Sequence, residues 1–402
     1  MANYYEPDRD ILDKYANLLV NYALNSGEGM KIGEVVQIFV PDIAKSLARS
    51  LQNAVLEAGG HPLLRLAATG LDKDYYERAS EEQLKFFPKE YLFAKAELID
   101  HQIGVIADPF PYELKDIDPA KFMLARNSKK AYRDKLVEKE NRGEFTWTIA
   151  LWATEAKADM VNLTIEEYWE QIIKACYLDK QDPIAEWQEI SKLQEEIKQK
   201  LNNLDIDTIN VKGDDMDITY KLGEKRKWVG GSGRNIPSFE IFTSPDWRGT
   251  NGWIKFNQPL YRYGNVLENI ELQFKDGKVT KASAETGESL LTEMLNTENA
   301  DKVGEISLTD KRMSRITHVM AETLFDENMG GQYGNHHLAL GRSYHDCYDG
   351  DPSQPSVEDW ENLGFNDSAE HTDIITTTDR TVTAKLISGQ KIKIYEGGSF
   401  VL

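Results

Sequence analysis

Three of the chain's seven histidines, His336, His337 and His345, fall in the stretch NHHLALGRSYHD, residues 335–346. Imidazole ligates divalent transition metals and carries protons near neutral pH; a solvated loop can also hold histidines without using them. The choice turns on the other donors in the chain. Carboxylates interrupt apolar strand sequence at Glu240, between Phe239 and Ile241 in NIPSFEIFTSP, and at Glu305, among Val303, Ile306 and Leu308 in VGEISLTD. In SAEHTDIITTT, His371 and Asp373 stand two apart at the head of a β-branched run. On a strand such a pair projects from one face. A buried carboxylate is stable only when paired or bound to a metal. Taken singly, a glutamate alternating with apolar neighbours also fits the solvent face of an edge strand. Taken together, carboxylates and imidazoles without thiolates suit Zn, Co or Mn in a catalytic setting.

The elements that must position these residues change in texture along the chain. In the first half, RDILDKYANLLVNYAL has helical spacing and EVVQIFV is a short β-rich run. PDIAKSLARSLQNAVLEAGG opens on proline and stops on two glycines, the signature of a helix with its terminator. HPLLRLA and HQIGVIAD read as further strands. Alternating strands and helices predict an α/β domain with a mostly parallel sheet over residues 1–205. It carries no glycine-rich dinucleotide fingerprint and no phosphate-binding loop. A charged amphipathic helix is expected from Asp182 to Leu204. Beyond it, TINVKG, MDITYKL, IELQFKDGKVTKASAE and TVTAKLISGQKIKIYEGGSFVL are strand-and-turn sequence, with KDGK and EGGS as hairpin signals. Residues 206–402 are therefore expected to form a strand-rich α+β domain, with a helix at ETGESLLTEMLNT.

Composition removes several functions. At 402 residues the chain exceeds what one core usually serves. The net charge of −20 argues against nucleic acid, which needs clustered lysine and arginine. Cys176 and Cys347 are too far apart and too few for a disulfide framework or a thiolate zinc site. The N-terminus is charged throughout, unlike a signal peptide, and no apolar run approaches the ~20 residues of a membrane span. A soluble, cytoplasmic protein is expected.

NIPSFEIFTSP, VGEISL, LFDENMGGQYGNHHLALGRSY and SAEHTD occur in the order found in the thermophilic metallo-aminopeptidases of the aminopeptidase T and aminopeptidase S type, which this sequence resembles. The likeness is strongest in the second half and continues through the helix–strand pattern of the first. It implies metal ligands at Glu240, Glu305, His337, Tyr344, His371 and Asp373. Within the histidine-rich stretch the family pattern places a ligand histidine before an Ile/Leu-Ala-Leu-Gly run and a tyrosine seven residues later. That selects His337 and Tyr344 and leaves His336 and His345 as bystanders or as groups supporting the ligands. Three departures stand out: Phe239 where the family is often small, the polar GGQYGNH before the histidine, and Ser307 and Thr309 in place of smaller residues.

The resemblance implies a site of two divalent ions (Zn, Co or Mn) that activates water to hydrolyse the N-terminal residue from peptides. Glu305 would bridge the ions, Glu240 and Asp373 would complete one shell, and His337 and His371 would serve the other. Tyr344 would ligate weakly or donate to the oxyanion. Asp326 and Glu327 are suspects for the proton shuttle, although a solvated loop or helix cap also accounts for them. Arg342 could hold a carboxylate beside the ligands, and His61 and His101 read as surface or capping residues. The family implies a homodimer enclosing the site, open to peptides with a free N-terminus. An amidase or esterase on the same scaffold, or a silent metal-binding protein, are the rival readings.

Overall fold

The computed structural model describes residues 5–231 and 233–402. Its N-terminal part is built on β1 (Val35–Pro41), β2 (His61–Ala67), β3 (His101–Ile106) and β4 (Thr146–Leu151). These strands pair in parallel in the order β2-β1-β3-β4. Parallel neighbours require a crossover, and the helix Lys45–Glu57 supplies the first, burying Leu47, Leu51 and Val55. It stops where the sequence suggests: Gly59 takes φ +83°, and the Gly60 N–H returns to the Val55 carbonyl. This closure is a glycine-dependent helix cap.

The helix Pro183–Asn202 starts with proline in its first turn, capped by the Asp182 carboxylate accepting from the Ala185 N–H at 3.1 Å. It buries Trp187, Gln194, Ile197 and Leu201, a stripe at helical spacing. Trp187 stacks on Phe239 with centroids 5.1 Å apart. Such aromatic pairs contribute about 0.5–1.5 kcal/mol beyond area burial. Gln194 Nε2 donates to the carbonyls of Ser238 and Glu240, on either side of Phe239. One helix thus fixes the start of the strand that carries Glu240.

After this helix the strands are β5 (Ile206–Gly213), β6 (Met216–Lys221), β7 (Glu240–Thr243), β8 (Asp246–Lys255), β9 (Leu260–Arg262), β10 (Asn265–Leu267), β11 (Glu271–Lys275), β12 (Lys278–Ser283), β13 (Val303–Thr309), β14 (Asn335–Gly341), β15 (His371–Thr376), β16 (Thr381–Leu386), β17 (Lys391–Glu396) and β18 (Ser399–Phe400). An antiparallel sheet runs β12-β11-β8-β6-β5-β16-β17-β18, a second runs β15-β14-β13-β7, and β9 and β10 form a separate ribbon. KDGK joins β11 to β12 with Asp276 and Gly277 both at positive φ, and EGGS joins β17 to β18 through Gly397 and Gly398. These are the hairpin turns read from the sequence. The fold is accordingly a parallel α/β region followed by a strand-rich antiparallel one. The two share apolar packing, with Trp152, Trp169, Trp187, Phe239 and Ile241 in one continuous core.

Candidate metal centre

Register in the β15-β14-β13-β7 sheet decides which side chains meet. Glu240 lies opposite Thr309, Ser307 opposite His337, Glu305 opposite Ala339, and Ala339 opposite Asp373. Because side chains alternate, Glu240, Glu305, His337, His371 and Asp373 share one face. Ile241, Ile306, Leu308, Leu338 and Ile374 take the other and enter the core. The alternation also separates the adjacent histidines. His336 faces the core, where its Nδ1 lies 2.8 Å from the Ser307 carbonyl and its Nε2 3.2 Å from the Tyr220 hydroxyl.

The shared face is densely charged; Glu240, Glu305 and His337 are buried, and His371 and Asp373 are half-buried. His337 Nε2 lies 3.2 Å from Glu305 Oε1, 3.4 Å from Glu240 Oε2 and 3.8 Å from Asp373 Oδ1. His371 Nε2 lies 3.5 Å from Asp373 Oδ1 and 3.7 Å from Glu305 Oε2. Glu305 therefore presents one oxygen to each imidazole. The donor atoms form two groups, Glu240–Glu305–His337 and Glu305–His371–Asp373, each with its atoms within 4.8 Å of one another. The expected division put both histidines on one ion; in the structure they fall in different donor groups, joined by Glu305. The histidines come from different strands, β14 and β15.

Electrostatics follow from the crowding. Burial pushes the Glu305 carboxyl up, and the neighbouring charges of Glu240 and Asp373 add to the shift against the His337 hydrogen bond. Burial disfavours the charged form of His337, yet its bonds to Glu240 and Glu305 outweigh that and raise its proton affinity. Burial likewise opposes Asp373, but His371 and His337 hold its carboxyl below the usual range. A field that draws protons onto imidazoles also attracts divalent cations. The donor set is oxygen and nitrogen without sulfur, its carboxylates exceed the nearby free cations, and Glu305 offers an oxygen to each group. These residues fit divalent metal ions.

A cavity of ≈ 50 Å³ opens on the cluster, lined also by Trp147, Arg234, Asn235, Ser238, Phe242, Glu327 and Tyr344. Trp147, Arg234 and Asn235 were missed in the sequence because distant pairing brings them in. Ile149 of β4 bonds the backbone of Arg234 and Ile236, which ties Asn235 to the site beside Trp147. Ser238 could have been found, since it lies two residues before Glu240 and so on the same side; its hydroxyl donates to Glu240 Oε1 at 3.2 Å. Ser307, one of the departures, approaches Glu240 Oε2 at 3.4 Å. Phe239, another, points into the core against Trp187. The polar stretch before the histidine has a local use: Asn335 donates to the Glu327 and Met329 carbonyls.

Tyr344 packs its ring edge on His371, centroids 4.7 Å apart. Burial, then the charge of Glu305, pushes its phenol well up, so it stays protonated. Asp326 and Glu327 are both buried, which excludes a solvated loop. Asp326 accepts the N–H groups of Met320 and Glu322 at 2.7 and 3.0 Å and shapes the turn. Glu327 lines the cavity; Asn235 and Asn328 donate to its Oε1, and burial with the charges of Asp373 and Glu240 pushes its carboxyl well up. Arg342 acts through its backbone: His371 Nδ1 donates to the Arg342 carbonyl at 2.7 Å, which turns Nε2 toward the carboxylates. Among the described residues its guanidinium holds no carboxylate, contrary to expectation.

His61 is exposed at the start of β2, as expected. His101 is not a surface residue: it is buried between Glu34 and Thr146, each at 2.8 Å. His345 lies outside the small cavity, stacked 3.9 Å from Trp360, and burial followed by Arg342 pushes its imidazole down to about 4.

These placements give opposite expectations for adjacent histidines. His337→Ala should release bound metal and end turnover with little loss of fold. His336→Ala should keep metal but lower thermal stability, by about 1–3 kcal/mol for the buried groups left without partners. Metal content and melting curves of both variants decide it; a larger metal loss in His336→Ala contradicts the register.

A buried face of carboxylates and imidazoles opening on a cavity is the arrangement of a metalloenzyme. Residues 8–400 match the thermophilic metalloprotease (M29) family, and the chain belongs to it. It is 28% identical to aminopeptidase 2 of Geobacillus stearothermophilus, over 97% of each chain. It is 27% identical to aminopeptidase T of Thermus aquaticus, over 97% of this chain and 98% of that one. The solved structure of wild-type AmpT from Thermus thermophilus has the same fold, with a TM-score of 0.82 over 98% of this chain and 99% of its own, at 24% identity.

Proposed function

We propose that this protein is a metal-dependent aminopeptidase whose two divalent ions (Zn, Co or Mn) are held by Glu240, Glu305 and His337 and by Glu305, His371 and Asp373. The observation that carries the reading is the sharing of Glu305 between two donor groups on one sheet face. When bound, such ions make water nucleophilic near neutral pH and polarise a carbonyl. Glu327 takes the proton of the attacking water and passes it to the leaving amine. Its place in the cavity wall and its hold by Asn235 and Asn328 suit that exchange. Tyr344, ordinarily protonated, donates to the oxyanion of the tetrahedral intermediate, and a phenol in that state makes at most a weak ligand. Ser238 and Ser307 orient Glu240. The same reading carries a cytoplasmic homodimer that encloses the site and admits short peptides. No described helix is long and apolar enough to cross a membrane.

A free α-amine is required by this chemistry. The acidic cavity attracts a protonated amine, and a neutral one has a lone pair to offer; either anchor sets the first peptide carbonyl at the reacting position. An acetyl cap removes both the charge and the lone pair. One peptide, free and N-acetylated, should be cleaved only in the free form by the metal-loaded enzyme. Comparable cleavage of both would mean an endopeptidase or a general amidase.

A further inference from the structure

Beside the small cavity lies a groove of ≈ 1230 Å³, between the helix Lys130–Asn141 and the chain from Arg342 to Ala369. Arg234 and Tyr344 line both spaces, so the groove begins where the cavity ends. The cavity, at ≈ 50 Å³, is far smaller than the groove and takes only the reacting end of a peptide. The groove exceeds the roughly 300–1,000 Å³ of ordinary small-ligand sites, which leaves room for the residues that follow.

The charges lining the groove are mostly engaged. Lys130 holds Asp134 and Asp367, Arg234 holds Glu140 and Asp346, Arg142 holds Glu144, and Lys302 donates to Asn299. Arg342 is different: among the described residues its guanidinium has neither a carboxylate partner nor a hydrogen bond. It is also anchored close to the chemistry, because its own carbonyl receives His371 Nδ1 and Tyr344 follows two residues later. Further positive charge stands behind it. Burial, then the charges of Arg126 and Arg342, push the Arg133 guanidinium down to about 10, while Arg126 is itself paired with Glu370 at 3.3 Å. Glu138, Glu298 and Glu361 repel an anion elsewhere along the groove.

We propose that Arg342 binds the C-terminal carboxylate of the substrate, so that the preferred substrates are short peptides with a free carboxylate. The inference rests on the aminopeptidase reading and names its substrate class. A planar guanidinium matches a carboxylate through paired N–H donors. The amine is fixed at the metal centre and the carboxylate at Arg342, and a peptide of matching length is held at both ends.

The test compares a tripeptide with its C-terminal carboxylate free and the same tripeptide amidated, across several N-terminal side chains, with an aminoacyl anilide as control. Amidation should raise KM about 10- to 100-fold, the range for losing a hydrogen-bonded charge, with a smaller change in kcat. In Arg342→Gln that discrimination should collapse toward unity, and Arg342→Lys should restore part of it. Calorimetric titration with a dipeptide of the kind released as product, free and amidated, should show the same preference without turnover. Equal KM for both tripeptides, with the anilide cleaved, would overturn the anchor and leave the aminopeptidase standing. Discrimination that survives in Arg342→Gln would overturn the assignment to Arg342. No cleavage of any of the three substrates would remove the aminopeptidase reading and the inference with it.

Discussion

Glu305→Ala is expected to end peptide hydrolysis and to leave the purified protein nearly free of divalent metal. Its two oxygens point to different imidazoles, Oε1 to His337 and Oε2 to His371, so one substitution removes a donor from both groups. The loss of metal affinity should exceed the roughly 10–100-fold that follows removal of a supporting hydrogen-bond partner. The fold should survive. Glu305 is a buried carboxylate pushed up by burial and by Glu240 and Asp373, and its removal relieves repulsion in metal-free protein. Metal should therefore raise the melting temperature of the wild type and not that of the variant; at a hundredfold excess over Kd the wild-type gain is about 2.7 kcal/mol. Elemental analysis and melting curves with and without metal read both effects. Equal metal in the two proteins would take Glu305 out of the site.

Glu327→Gln should separate chemistry from metal binding. The amide keeps the size of the side chain and an oxygen for Asn235 and Asn328, but it cannot carry the proton. Turnover should fall about 10²–10⁴-fold, the usual contribution of an acid–base group, while metal content stays at the wild-type value. Asp326→Asn is the contrasting change: its carboxylate accepts two backbone N–H groups at the turn, so stability rather than kcat should suffer. Parallel assays of kcat, metal content and unfolding distinguish them. A Glu327→Gln enzyme with wild-type kcat would exclude the shuttle, and one that lost its metal would make Glu327 a ligand.

What the sequence disclosed depended on whether the controlling interaction was local. Period-two alternation is local, so His371 and Asp373 could be set on one face from their spacing alone, and the structure places them there. Turn chemistry is local too, and KDGK and EGGS form the hairpins read from them. The choice of His337 over His336 came from resemblance, because alternation becomes decisive only once the facing sheet is known; Tyr220 on β6 then shows which side is core. Glu327 read as a loop acid because nothing near it in sequence predicts burial. Asn235 reaches it across 92 residues, carried by pairing with β4. His101 was hidden for the same reason, its partner Glu34 lying 67 residues away. Long-range contacts also decided how the two histidines divide between the donor groups.

The measurement that bears most directly on this account is the ratio of divalent metal to chain in the active wild-type enzyme, determined by elemental analysis while metal is removed by chelator and restored. Two donor groups sharing Glu305 predict two ions per chain at full activity, with activity lost on removal and regained on restoration. Full activity in protein stripped of metal, or saturation at a single ion per chain, would contradict it.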